Sequence, residues 1–309
     1  MELTGKQIVV TGGAGLIGSP LVEQLATDND VIAVDDLSNG VRESVPEAAT
    51  FVEGDLTNEA VVADIITDEI DIVFHLAAAD KYVDTDNPRQ QFEANSSMTH
   101  TILERMDEVG VTNIAFTSSC TVYGEAGEPT PESYGPLEPI SVYGATKLGE
   151  EALLSVYGNT HDFTVWTFRF ANIVGPRFGA GVVPDFVEKL DDDPESLTIL
   201  GNGKQTKSYM HVTECVDAMC YVVEHADEPV NTYNLATQTT TDVDTIADIV
   251  SDEMGLDPEY SYTGGERGWE GDVSTVLLPI DKLLELGWKN ELSSDESVRR
   301  VARELLAEL

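Results

Sequence analysis

Tyr143 and Lys147 stand four residues apart in Tyr143-Gly144-Ala145-Thr146-Lys147. On a helix this spacing puts both side chains on one face. A free tyrosine titrates near pH 10, about three units too high for a base at neutrality. A neighbouring ammonium favours the phenolate and makes such a base usable. The spacing is common by chance, so its companions decide its meaning. Upstream, the apolar run Phe116-Thr117-Ser118-Ser119-Cys120-Thr121-Val122-Tyr123-Gly124 carries Ser119, whose hydroxyl could hydrogen-bond a substrate hydroxyl, with Thr121 beside it. Near the start, Thr11-Gly12-Gly13-Ala14-Gly15-Leu16-Ile17-Gly18 satisfies GxGxxG through Gly13, Gly15 and Gly18, and GxxGxxG through Gly12, Gly15 and Gly18. Glycines let the backbone turn sharply and approach a pyrophosphate, whose charge sits at the following helix N-terminus. Asp35 ends the next apolar run, 17 residues after Gly18. A carboxylate there can accept hydrogen bonds from ribose hydroxyls. Asp35-Asp36 would repel a 2′-phosphate, which favours NAD over NADP.

These side chains need strand ends and helix starts to hold them. Short apolar runs predict strands at Gln7–Thr11, Val31–Asp35, Thr50–Glu53, Asp71–His75, Asn113–Ser118 and Phe163–Phe170. Amphipathic stretches predict helices at Leu16–Thr27, Asn58–Thr67, Pro88–Val109 and Ser141–Tyr157. This alternation implies an α/β fold with a doubly wound parallel sheet of Rossmann type, in which ligands meet the carboxyl ends of the strands. The later half is punctuated by proline and glycine. Helices are predicted at Pro184–Leu190, Thr213–His225, Asp242–Met254 and Ser294–Ala307, and a strand at Asn231–Leu235. The expected division is a cofactor-binding domain over 1–175 and a smaller α/β substrate-binding lobe over 176–309. Part of 205–240 is expected to pack back onto the first domain.

The chain has 309 residues, with 57 Asp and Glu against 17 Lys and Arg, a formal net charge of -40. With 41% hydrophobic residues it can bury a core, so the charge does not signal disorder. Residues 1–150 hold 27 acids and 6 bases, and 151–309 hold 30 and 11, so the acidity covers the whole surface. Binding to nucleic acid or anionic membrane, which needs basic patches, is excluded as an expectation. An evenly acidic surface resembles that of proteins from salt-accumulating halophiles, where screening shortens the Debye length to about 3 Å at roughly 1 M salt. Cys120, Cys215 and Cys220 form no CxxC pair, and the five histidines have no metal-ligand spacing, so no metal site is expected. All five histidines read as structural, and Cys215 and Cys220 as core residues of a helix. No apolar run approaches the roughly 18 residues of a membrane span, and no signal peptide is evident, so a cytoplasmic location is expected.

In order, these motifs resemble the extended short-chain dehydrogenase/reductase family, in its NAD-dependent epimerase/dehydratase branch. Besides the glycine loop, Asp35, Ser119, Tyr143 and Lys147, the resemblance is carried by Gly54-Asp55-Leu56, His75-Leu76-Ala77-Ala78, Asn95 and Arg169-Phe170-Ala171-Asn172-Ile173-Val174-Gly175-Pro176. Gly201-Asn202-Gly203, Tyr209-Met210-His211-Val212, Tyr233-Asn234 and Gly271-Asp272 continue it nearly to the end. The resemblance implies NAD held by Gly12, Gly15, Leu16, Ile17, Gly18, Asp35, Asp55, Leu56, Leu76, Ala77, Ala78, Tyr143 and Lys147. It implies catalysis by Ser119, Tyr143 and Lys147. It implies a nucleotide sugar held by Ser119, Thr121, Tyr143, Asn172, Arg177, Lys207 and Arg267. Lys204 beside the Gly-Asn-Gly loop is a further candidate for the diphosphate. Members that are 4,6-dehydratases carry an Asp-Glu pair after the serine; Cys120-Thr121 stands there instead, the pattern of UDP-hexose 4-epimerases. Lys207 replaces a customary arginine, and Arg267 is displaced by two residues from its usual distance to Gly271-Asp272. Val276 falls near a position where a small residue would admit an N-acetyl group. The helices Pro88–Val109 and Ser141–Tyr157 match those that pair in the family's homodimers. Two other readings stay open: a one-way NAD-dependent reductase or decarboxylase of nucleotide sugars, and a non-catalytic NAD-sensing regulator.

Overall fold

The computed structural model describes residues 1–79, 87–126, 129–176, 181–265, 273, 275–276 and 278–308. Its centre is a seven-stranded parallel sheet. The strands are β1 (Gln7–Thr11), β2 (Asp30–Asp35), β3 (Thr50–Glu53), β4 (Ile72–His75), β5 (Asn113–Ser119), β6 (Thr164–Phe170) and a strand from much later in the chain, Val230–Leu235. Four short strands precede that one, beginning with β7 (Asn172–Val174), β8 (Ser196–Ile199) and β9 (Thr206–Lys207). Next come β10 (Tyr209–His211), the late sheet strand itself as β11, β12 (Thr241–Asp242) and β13 (Glu259–Tyr262). The sheet order is β11-β6-β5-β4-β1-β2-β3. Chain order reverses between β1 and β4, the switch point at which a doubly wound sheet opens a crevice at its carboxyl edge.

Two apolar cores cover the two faces. Helices α1 (Gly18–Leu25), α2 (Glu59–Ile65), α3 (Pro88–Val109), α4 (Val142–Thr160), α5 (Val182–Asp192) and α6 (Val212–His225) follow in order. On one face, Leu21, Val22 and Leu25 of α1 and Cys215, Val216 and Met219 of α6 pack with Ile8, Val10, Phe74 and Trp166. On the other, Val62 of α2, Met98 and Ile102 of α3 and Leu154 of α4 pack with Val9, Val73, Ile114 and Phe116. A third core joins α5 to α7 (Val243–Met254) and, beyond α8 (Asp281–Leu286), to α9 (Ser294–Leu306), through Phe186, Ile246, Val250, Val298 and Val301. This is the smaller lobe. Both α6 and β11 leave it and return to the sheet, where Trp166 Nε1 donates to the Ala226 carbonyl at 2.9 Å.

Local chemistry sets the ends that matter. Asn87 caps α3 through Gln90 N, Pro88 starts it, and Gly110 ends it at φ +81°. Ser141 Oγ accepts the Gly144 amide at 3.0 Å and starts α4. The first helix begins at Gly18, not Leu16, because Gly15 N turns back to the Gly12 carbonyl at 3.1 Å. The strands β7–β10, β12 and β13 and helix α8 have no counterpart among the predicted elements. They are two to six residues long, and the strands pair only in two-stranded sheets, so no period builds up to mark them. Among the described residues, no helix is long and apolar enough to cross a membrane.

Candidate functional site

The carboxyl ends of β1, β4, β5 and β6 open onto a cleft of about 590 Å³ shared with the smaller lobe. Its floor is the loop after β1. A Cβ on Gly18 would lie 1.9 Å from the Gly12 carbonyl, so glycine alone lets the loop fold against the start of α1. No side chain caps α1, whose N-terminal amides face an anion best. Gly12, Gly15, Leu16, Ile17 and Gly18 all line the cleft, as do Leu76 and Ala78 on the β4 side. Asp35 is buried at the end of β2, where its carboxylate accepts the amides of Ala14 at 3.0 Å and Leu37 at 2.9 Å. Burial pushes this carboxyl above its ordinary value, against those two amides, with repulsion from Asp36 adding to the rise.

The candidate reacting side chains come from β5 and α4. Ser119 is the last residue of β5 and faces the cleft, its Oγ accepting the Thr121 amide at 3.2 Å. A Cβ on Gly144 would lie 2.8 Å from the Thr121 carbonyl, so the first turn of α4 sits directly on the turn after Ser119. That contact brings Tyr143 to the cleft that Ser119 also lines. Lys147 lies one turn on, 1% exposed, with Nζ 4.5 Å from the Phe116 ring centre and 6.0 Å from that of Tyr143. Its Nζ has no hydrogen-bond partner among the described residues and stands 3.4 Å from Glu150 Oε2. A buried donor of this kind suits a ribose hydroxyl. With the uncapped helix and the glycine loop, it fits a nicotinamide dinucleotide.

Behind the cleft, polar groups are tied together. His75 is fully buried between Thr11 Oγ1 at 2.8 Å and Thr99 Oγ1 at 3.0 Å. Burial, aided by the charge of Lys147, lowers its pKa to about 3. Thr11 Oγ1 also accepts the amides of Leu76 and Ala77, which fixes the strand-end segment. Asn95 Oδ1 accepts the Ala79 backbone amide at 2.6 Å. Ser118 Oγ donates to Glu151, which Arg169 grips with Nε at 3.0 Å and Nη2 at 2.7 Å. Arg169 also donates to Tyr123 OH, which donates to Asn234.

The sequence model of the NAD dependent epimerase/dehydratase family matches residues 8–236. The chain belongs to that family. A solved UDP-galactose 4-epimerase is 38% identical, with a TM-score of 0.89 over 98% of this chain and 99% of that one. A UDP-N-acetylglucosamine 4-epimerase from Methanobrevibacter ruminantium M1, solved with UDP-N-acetylmuramic acid, is 28% identical, with a TM-score of 0.89 over 99% and 100%. A relative from Methanocaldococcus jannaschii, provisionally named UDP-glucose 4-epimerase, is 32% identical over 95% of this chain and 96% of its own. This member of the NAD-dependent epimerase/dehydratase family is an isomerase, a nucleotide-sugar epimerase that uses NAD.

Within this epimerase the predicted site residues fall into groups. The glycine loop, Leu76, Ala78, Ser119, Tyr143, Asn172 and Lys207 converge on the cleft. Asn172 donates through Nδ2 to the Ser208 carbonyl at 3.4 Å. Ala77 and Lys147 stand just behind the lining. Asp55 is exposed beyond β3 and accepts the Thr57 amide and hydroxyl, while Leu56 is buried in the second core, which leaves only its backbone for a ligand. Thr121 is absent from the described lining, and its Oγ1 is buried without a partner among the described residues. Arg177, Arg267 and Gly271-Asp272 lie outside the described residues. Lys204 turns away to Asp244 at 2.5 Å, and Val276 packs against the larger core. Sequence reasoning did not single out Ser118, Glu150 or Asp185. Glu150 had a readable signal, since positions 143, 147 and 150 share one helical face.

Proposed function

We propose that this epimerase inverts C4 of a UDP-hexose, interconverting UDP-glucose and UDP-galactose, from the cleft residues Ser119, Tyr143 and Lys147. Bound NAD supplies a hydride acceptor and donor at C4. Tyr143, as phenolate, takes the proton of the sugar 4-hydroxyl and later returns it. Ser119, at the end of β5, shares that hydrogen bond and orients the hydroxyl. Lys147 keeps the phenolate charged and binds the ribose of the cofactor. Asn172 and Lys207 are placed to meet the diphosphate, and Arg177 and Arg267 are assigned to it by their place in the sequence. The turn of the keto sugar within the cleft accounts for return of hydride to either face.

The observation that carries the reading is that neither residue after Ser119 is an acid. Cys120 and Thr121 follow Ser119. Among the described residues lining the cleft, the one carboxylate is Asp185, held by Lys189 at 2.7 Å. Elimination of water needs an acid–base pair next to the sugar, which favours epimerisation over dehydration. The 4-epimerase names of the relatives support the same choice. The test is a panel of UDP-, GDP- and dTDP-sugars in molar KCl, with C4 inversion read by NMR. UDP-glucose is expected to yield UDP-galactose; inversion of none of the sugars would overturn the reading. Tyr143→Phe is expected to lower kcat by about 10²- to 10⁴-fold, the range for loss of a general base. UDP-N-acetylglucosamine in the same panel tests whether the site admits an N-acetyl group.

A further inference from the structure

Glu150 is 3% exposed, on the buried face of α4, and the family motif gives it no role. Its Oε1 accepts a hydrogen bond from Thr99 Oγ1 of α3. Its Oε2 stands 3.4 Å from Lys147 Nζ and has no hydrogen-bond partner among the described residues. Thr99 in turn meets His75 Nε2 on β4, and His75 meets Thr11 on β1. A carboxylate is thus anchored at one oxygen and left free at the other, against the ammonium that serves Tyr143. We propose that Glu150 is a positioning residue: fixed by Thr99, it sets a negative charge beside the Lys147 ammonium and so tempers the field that this ammonium exerts on Tyr143.

The surroundings single out this carboxylate. From β4, the facing group is His75, which is neutral near pH 7 because burial holds its pKa at about 3. From β5, the facing group is the Phe116 ring. On α4 itself, Glu151 is taken up by Arg169 of β6, which also binds Tyr123 from the turn after β5. From α3, the facing group is Thr99. The charges that act on one another here are those of buried Lys147 and Glu150 and of half-buried Tyr143 at the cleft when it is ionised. A negative charge beside the Tyr143–Lys147 pair makes each loss of a proton from that pair harder. With Lys147 held charged over the Phe116 ring, removal of Glu150's charge must let Tyr143 ionise at lower pH. Glu150 stands two helical turns, about 10 Å, from Tyr143, and at an effective dielectric of about 20 a unit charge at that distance shifts a midpoint by about one pH unit.

This inference rests on Tyr143 as the base, yet its test does not depend on turnover. Glu150→Gln keeps an acceptor for Thr99 and removes the charge. The Tyr143 phenolate is titrated by its absorbance near 295 nm in the NAD-loaded protein, as the difference from the same background carrying Tyr143→Phe. In Glu150→Gln the midpoint is expected to fall by about one unit, and the acid limb of kcat to move with it. Glu150→Asp, whose shorter carboxylate stands further from Nζ, is expected to show a smaller shift of the same sign and carries the test if Glu150→Gln does not fold. An unchanged or raised midpoint in a folded variant with parental NAD content overturns the proposal. Failure of the 4-epimerase reading would show separately, as a shifted phenolate midpoint in a protein that inverts none of the sugars.

Discussion

His75 shows what a single buried side chain does to the pH response. It titrates near 3 in the folded chain against 6.5 when free, because burial and the Lys147 charge both oppose its cation. The unfolded chain therefore takes up a proton that the folded chain refuses. The stability contributed is whole above pH 6.5 and is lost as pH falls toward 3, at about 1.4 kcal/mol per unit. Between pH 6.5 and 5 the loss is about 2 kcal/mol. His211, also lowered by burial, adds in the same direction, while Glu214 and Asp35, raised by burial, oppose it. Urea melts in molar KCl at several pH values separate these contributions: His75→Asn is expected to flatten the acid slope by that amount, and an equal slope in both proteins would refute it. At this scale the sequence singled out the candidate side chains Ser119, Tyr143 and Lys147, since each sits in a local motif. It did not expose Ser118, whose partner Glu151 is 33 residues away and is recruited by folding.

The loop after β1 and the helix it feeds divide labour among their glycines. Gly18 lets the loop close on itself, whereas a Cβ on Gly15 would stand 3.3 Å from the Gly12 carbonyl and otherwise face the cleft. Gly15→Ala is expected to fold with little loss and to purify with less bound NAD, read by absorbance after denaturation. Gly18→Ala is expected to lose about 1–3 kcal/mol as well, from overpacking against backbone. Equal melting temperatures for the two variants would contradict this division. The repeating β-α units were legible because each strand is a run of buried aliphatics and each helix carries an apolar stripe, as at β1, β2, α3 and α4. The smaller lobe was half legible. Helices α5, α7 and α9 carry such stripes, but β7 and β10 are three residues each and acquire their shape from pairing with one another.

The charge of -40 acts on the molecule as a whole. Cations are few, and several are held by single acids, as Lys6 by Asp71 and Lys189 by Asp185. Such exposed pairs contribute little, so surface repulsion is opposed mainly by the cores. Raising KCl from about 0.1 M to about 1 M shortens the Debye length from about 10 Å to about 3 Å. The melting temperature and epimerase activity are both expected to rise over this range; full activity at low ionic strength would contradict a salt-adapted surface. Light scattering in the same molar KCl reads the mass. Phe92 on α3 and Val156 on α4 are 46% and 49% exposed, and a homodimer through these helices would cover them.

The return of β11 to the sheet also governs how the chain can be made. β6 is complete at Phe170, yet its outer neighbour arrives only at Val230–Leu235, after the smaller lobe's β7–β10 and α5 have been synthesised. Until then Val165, Trp166 and Phe168 line an unpaired edge on a nascent chain. Emergence of residues 171–229 from the ribosome is thus a window in which the sheet can pair with a neighbouring chain instead of its own missing strand. A chain cut between Phe170 and Val230 keeps the glycine loop and α4 but never leaves that window.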